Sequence, residues 1–180
     1  MAGGLETLCG QAYGAKQFQK LGTYTYTAII SLFLVCPPVC VLWIFMEKIL
    51  ILIGQDPLIS LEARKYSMWL VPTLFGSAVL KPLTRYFQTQ SLILPILFSS
   101  FVVLSFHIPA CWTLVYKLEL GSLGAAITFG SSTWLYVILL SIYVIYSSAC
   151  EKTRFSFSKD ASLGISEFYH LAIPSAVMVW

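Results

Sequence analysis

From residue 24 to residue 46 the chain runs without a single charged side chain. A stretch of that length and character constrains the fold more than any other feature of the sequence. In hydrocarbon every backbone N–H and C=O must find a partner within the protein, which leaves only helices and closed barrels as ways across. A crossing helix needs about 20 apolar residues, whereas a barrel strand uses about ten, alternating in polarity. Residues 24–46 are continuously apolar, so they predict a membrane helix. Further apolar stretches follow at 66–80, 91–115 and 122–146. The second reaches spanning length when begun at residue 63, with Arg64 and Lys65 snorkelling to the interface. The expected architecture is an all-α, polytopic transmembrane bundle.

Composition closes the alternatives. Charged residues make up 11% of the chain and the AVILMFWYC set 58%, against about 25% charge in a typical soluble domain. Nineteen charges cannot cover 180 residues with an ordinary solvated surface, and the high hydropathy excludes a disordered chain. The net charge of +3 is scattered, and no nucleic-acid-binding module is present. Aromatic residues reach 15%, which suits side chains stationed at lipid–water interfaces. The five cysteines include no C-x-x-C pair. Their odd number and apolar settings favour buried thiols over disulfides or a zinc site, with Cys36 and Cys40 on one helix face.

Several breaks organise the chain. Pro37-Pro38 falls inside the first stretch and is expected to kink or locally unwind it. That helix either ends near Glu47 or tilts and extends to Gly54, and Gly54-Gln-Asp-Pro57 is a clear break. Pro72 and Gly76 weaken the second helix, and Pro95 and Pro109 flank the third. The fourth is rich in glycine, serine and threonine, including Gly124, Ser131, Ser132 and Ser141, which favours close helix packing. The start lacks the basic region of a signal peptide and the second-position glycine needed for myristoylation. Residues 171–180 form an apolar run too short to span, and residues 3–13 a short apolar start. Both ends read as cuts through helices, so the chain is expected to be a fragment of a longer membrane protein. Lys16 and Lys20, Lys81 and Arg85, and Lys152, Arg154 and Lys159 occupy alternate loops, seven cations against four in the others. By the positive-inside rule these three loops face the cytoplasm.

No catalytic motif is present: G-x-S-x-G, H-E-x-x-H, the P-loop and G-x-G-x-x-G are all absent. The chain is not expected to be an enzyme, and no cofactor or metal is implied. Ionisable residues inside a membrane mark functional sites, so the few here carry weight. His107 is either a proton or substrate contact or a neutral, hydrogen-bonded histidine beside Pro109. Glu6 either serves a pathway or caps a helix end. Pro37 and Pro38 either mark a gating break or make a static kink. Gln88 and Gln90, two residues apart, do not share a helix face and are expected to bridge helix ends.

Two segments carry a family resemblance. Glu6-Thr-Leu-Cys-Gly-Gln-Ala-Tyr-Gly-Ala-Lys16 resembles the signature at the end of the second helix in multidrug and toxic compound extrusion (MATE) transporters of the plant detoxification branch. Gln11, Gly14 and Ala15 match it. Pro82-Leu-Thr-Arg-Tyr-Phe-Gln-Thr-Gln-Ser91 resembles the loop between the fourth and fifth helices, through Phe87, Gln88 and Gln90. Gly121-Ser-Leu-Gly-Ala-Ala126 resembles the start of the sixth helix, and Cys150-Glu-Lys-Thr-Arg154 the loop before the seventh. The resemblance spans essentially all 180 residues.

It implies part of the N-terminal lobe of a twelve-helix, two-lobed transporter. Residues 3–15 would end family helix 2; 24–46, 63–80, 91–115 and 122–146 would be helices 3 to 6. Residues 147–170 would form a cytoplasmic loop, and 171–180 would begin helix 7. The implied activity is secondary antiport, exporting organic cations, phenolic compounds or other xenobiotics in exchange for protons, across the vacuolar or plasma membrane. The acidic residues of helix 1 and of the second lobe are absent, so the chain alone is expected to be inactive. The competing readings are a non-transport membrane structural or assembly protein and a membrane-embedded enzyme.

Overall fold

The computed structural model describes residues 9–16 and 18–147, with residues 18–20 described for backbone alone. Within them the fold is all helical. Helix α1 covers 9–14. Helix α2 is Phe18–Ile44, α3 Met46–Leu52, α4 Pro57–Thr89, α5 Ile93–Trp112 and α6 Gly121–Tyr146, with a π-helical turn, Thr113–Lys117, continuing α5. The expected helix over 171–180, and the loop after Ser147, lie outside the described residues.

Among the described residues three helices are long and apolar enough to cross a membrane: Leu21–Ile44, Ile93–Lys117 and Gly121–Tyr146. Helix α4 corrects the expectation of a fourth apolar span at 63–80. It runs through 33 residues, about 50 Å at 1.5 Å per residue, well beyond the roughly 30 Å of bilayer hydrocarbon. Its polar residues are tolerated because it packs between α2 and α6 and buries Ser67, Thr73, Gly76, Pro82, Tyr86 and Phe87 there. A helix covered on two sides by protein does not need an apolar face all round. Its start is well defined. The Asp56 side chain accepts the Leu58 N–H at 2.8 Å and Pro57 occupies the first turn, where its missing N–H costs nothing.

The extension of α4 also relocates two cations. Lys81 and Arg85 belong to the helix and not to the following loop, which is only residues 90–92. Arg85 is one turn from the helix end and still serves that side of the bilayer. Lys81 is eight residues in, about 12 Å along the axis, and leaves the loop count at six cations against four.

Pro37 and Pro38 do not unwind α2, which stays helical through both. Proline φ fits a helix, and each ring removes an N–H donor and crowds the carbonyl four residues back. The interruption comes later, at Phe45, between α2 and α3. Helix α3 then lies along the start of α4, joined to it by an Arg64–Glu47 ion pair at 2.9 Å. Lys65 bonds Glu62 at 2.8 Å. Neither cation reaches alone for the interface.

Several buried hydroxyls are satisfied within their own helices. Thr25 donates to the Leu21 carbonyl, Ser31 to Thr27, Thr128 to Gly124 and Thr133 to Phe129, at 2.8–2.9 Å. Such back-bonding lets polar side chains enter apolar interfaces without stranded donors. The core proper sits at the Thr89 and Tyr146 end, where Cys9, Leu21, Leu83, Tyr86, Phe87, Leu140 and Val144 close together. The Phe87 ring meets Tyr143 edge-on at 5.7 Å.

The most extensive helix contact is α4 on α6. Small residues make it possible. A Cβ at Gly130 would stand 2.8 Å from Thr73 Oγ1, and one at Gly76 3.3 Å from the Thr133 methyl. Gly124 serves the α6 side of the π turn, where a Cβ would come within 2.8 Å of the Leu114 carbonyl oxygen. That neighbour is backbone and cannot rotate away. Gly124→Ala gains up to about 1 kcal/mol of helix propensity, but overpacking costs about 1–3 kcal/mol. A net destabilisation on the order of 1 kcal/mol is expected in reversible unfolding from mixed micelles, and a stabilised variant would contradict the contact.

Candidate functional site: a cleft between α4, α5 and α6

Helices α4 and α5 both rest on α6 but touch each other little. The gap between them is a cleft of about 430 Å³, with Ser77 and Lys81 from α4, His107 from α5, and Phe129, Ser132, Thr133 and Tyr136 from α6. Its depth can be counted from the helix ends. His107 lies fourteen residues from Ile93, and Ser132 fourteen from Tyr146, each about 21 Å along its axis. The two ends are neighbours, since Leu94 and Pro95 share a cavity of about 570 Å³ with Tyr143 and Tyr146. That larger cavity sits at the end of the bundle, and both cavities are lined mainly by apolar groups, Leu80, Val103 and Leu104 among them in the smaller. The smaller cleft lies beside the central parts of α5 with its π turn, Ile93–Lys117, and of α6, Gly121–Tyr146.

The equal counts bring His107 and Ser132 together. His107 Nδ1 and Ser132 Oγ are 2.8 Å apart. Tyr136 anchors the α5 side, its hydroxyl 2.7 Å from Ser100 Oγ and 3.3 Å from the Ile96 carbonyl. On the α4 side, Trp134 Nε1 donates to the Pro72 carbonyl at 3.2 Å, an acceptor at a proline within the helix. Thr73 Oγ1 is buried with no hydrogen-bond partner, wedged against Gly130. The sequence offered no sign of the Tyr136–Ser100 pair, which joins positions 36 residues apart.

The charges around the cleft are one-sided. Glu47, Asp56, Glu62 and Glu119, the carboxylates of the described residues, all sit at the far end of the bundle, on α3, the start of α4 and the α5–α6 connection. Glu62 is nineteen residues from Lys81 along α4, on the order of 28 Å. Arg64 and Lys65 are paired with acids, and Lys48 stands 5.7 Å from the Phe45 ring centroid. Among the described residues Lys81 has no such partner. Among those residues no His, Cys, Asp and Glu group could hold a metal ion.

The other residues singled out from sequence lie elsewhere. Pro37 and Pro38 are exposed on α2, away from the His107 cleft. Gln11 and Gly14 are exposed on and beside α1, and Glu6 lies outside the described residues. Phe87 is buried in the core. Gln88 is exposed and accepts from Arg85 at 3.0 Å, whereas Gln90 is buried and donates to the Tyr86 carbonyl at 3.2 Å. The two glutamines therefore act within the end of α4 and do not form one site. Lys81, which the sequence placed in a loop, belongs to the cleft.

The His107–Ser132 bond lends itself to a double-mutant cycle with His107→Phe and Ser132→Ala. Interhelical hydrogen bonds in membranes average about 0.6 kcal/mol and reach about 1.7. A coupling energy in that range is expected in micelle unfolding, and a zero coupling would show that the pair does not hold α5 to α6.

Residues 1–113 match the MatE family. The chain is 54% identical over 179 residues to Protein DETOXIFICATION 14 of Arabidopsis thaliana, covering 99% of this chain and 37% of that relative. Protein DETOXIFICATION 3 of the same plant is 53% identical over 179 residues, covering 99% of this chain and 38% of its own length. In three dimensions the chain superimposes on the crystal structure of the eukaryotic MATE transporter AtDTX14 with a TM-score of 0.93 and 55% identity, over 98% of this chain and 40% of that one. It thus spans well under half the length of the relatives it matches, and its helices match part of the N-terminal lobe of a twelve-helix fold. On profile, sequence and fold together, the chain belongs to the MATE family, in its plant DETOXIFICATION branch.

Proposed function

We propose that this chain is part of a secondary active antiporter that exports organic solutes or xenobiotics, organic cations or phenolic compounds among them, in exchange for protons. The observation that carries the reading is a cleft between spanning helices, lined by the hydrogen-bonded His107 and Ser132, in a chain of the MATE family. Transporters place substrate and ion sites near the midplane, where polar groups face a cavity and not lipid. In this reading α1 is the end of family helix 2, and α2, α4, α5 and α6 are family helices 3 to 6. Residues 147–170 form a cytoplasmic loop, and 171–180 begin helix 7. The protein works in the vacuolar or plasma membrane. Export requires both lobes, so the 180-residue chain alone inserts but does not transport. A purely structural or assembly role gains no support from the structure.

Proteoliposomes test this directly. With an imposed proton gradient, the full-length protein containing this segment is expected to export a fluorescent organic cation or a phenolic dye, and to stop when the gradient is collapsed. Gradient-independent leakage would overturn the antiport reading. Export by the 180-residue chain would overturn the need for a second lobe.

Pro37 and Pro38 leave the carbonyls of Phe33 and Leu34 without their helical donors, a local weakness at which a helix can flex during alternating access. Pro37→Ala with Pro38→Ala restores both donors. Turnover is expected to fall severalfold with near-normal membrane levels, and unchanged turnover would assign the pair to static packing.

A further inference from the structure

The middle of the α4–α6 seam holds two groups that pull against each other. Thr73 is 3% exposed, and among the described residues its hydroxyl has no hydrogen-bond partner. The oxygen is enclosed within the described helices, 2.8 Å from where a Cβ on Gly130 would stand, so further chain does not reach it as packed. Its counterparts behave differently. Thr25, Ser31, Thr84, Thr128 and Thr133 each donate to the carbonyl four residues back, at 2.8–2.9 Å. The same bond for Thr73 would go to the Trp69 carbonyl, and it is not made. A hydroxyl buried without a partner loses its hydration and gains no bond in return. The seam as packed therefore holds an unmet donor.

Trp134 acts in the opposite sense. Its indole Nε1 donates to the Pro72 carbonyl at 3.2 Å, tying α6 to α4 one residue before Thr73. Gly76 makes room for the ring, whose Nε1 lies 3.4 Å from where a Gly76 Cβ would stand. The bond lands where α4 is softest. Pro72 has no N–H, so the Met68 carbonyl loses its helical donor, and sharp helix kinks fall mostly at prolines. Beyond this point α4 is pinned, because Leu83, Tyr86 and Phe87 share the core with Leu140 and Val144 of α6. Before it, α4 carries α3 through packing and the Arg64–Glu47 pair.

We propose that α4 is hinged at Pro72 and that its seam with α6 has two states. In the closed state Trp134 latches the Pro72 carbonyl and the Thr73 hydroxyl is stranded. In the parted state the latch is released, residues 57–71 swing from α6 with α3, and Thr73 turns its hydroxyl to the Trp69 carbonyl. Trp134 thus favours the closed seam and Thr73 the parted one, and the balance between them sets the populations. Neither cargo nor gradient enters this device, so it stands independently of the transport reading.

Hydrogen–deuterium exchange of the full-length protein in nanodiscs tests it, read on the α4 amides of residues 73–76 beside the hinge. Trp134→Phe keeps an aromatic ring and removes the donor, and exchange there should become about threefold or more faster. Thr73→Ala with Gly130→Ala removes the stranded hydroxyl and fills its space with the new Cβ, which nearly conserves volume. In that double variant exchange should become about threefold or more slower. Two residues that merely pack would both loosen α4 when replaced, so the opposite signs are diagnostic. A second measurement keeps both residues. With 5-fluorotryptophan incorporated, and the Trp134 signal assigned by its loss in Trp134→Phe, fluorine NMR should resolve a latched and a released indole. Exchange that the double variant fails to slow, exchange that Trp134→Phe fails to speed, or a single Trp134 signal in the otherwise unsubstituted protein would each overturn the proposal.

Discussion

The fold depends on how closely α4 can approach α6. In lipid no hydrophobic force draws helices together, because the tails are as apolar as leucine. Association rests on packing and on hydrogen bonds, and both require small residues at the seam. Gly76, Gly130 and the threonines at 73, 128 and 133 provide that seam. Their hydroxyls mostly bond backward along their own helices, so the interface is polar in composition yet leaves few donors stranded. Helix α2 then packs on the opposite side of α4, and α5 on the other flank of α6. Because α4 and α5 lean on the same helix without closing on each other, a cleft opens between them.

The electrostatic layout follows from that arrangement. Acids and their partner cations gather at one end, where water can screen them. His107 and Lys81 both line the cleft: His107 is held by the Ser132 hydroxyl of the neighbouring helix, and Lys81 is exposed on α4.

Much of this was legible in the sequence, and the misses have physical causes. The charge-free run from 24 to 46 and the glycine- and serine-rich run from 122 to 146 announced spanning helices, and the small residues of the latter announced close packing. The motifs around Gln11 and Gln90 announced the family. Helix α4 was misjudged because its apolar run stops at Leu80. Charge reads as loop when neighbours are unknown, yet Tyr86 and Phe87, buried about one and a half turns on, carry the helix past Lys81. The prolines at 37 and 38 suggested a break, and the break fell at Phe45. No sequence pattern links His107 to Ser132, but counting fourteen residues from each helix end would have paired them. Tyr136 and Ser100 needed the third dimension.

The junction at Phe45 has a mechanical consequence. Helix α3 continues α2 covalently, yet its packing and its one ion pair are with α4. Hydrogen bonds from Phe45 N–H to the Val41 carbonyl and from Ile49 N–H to the Phe45 carbonyl run across the junction, and α2 and α3 both pack on α4. Helix α4 is therefore a common spine, and a substitution that shifts it carries both partners of the broken helix with it.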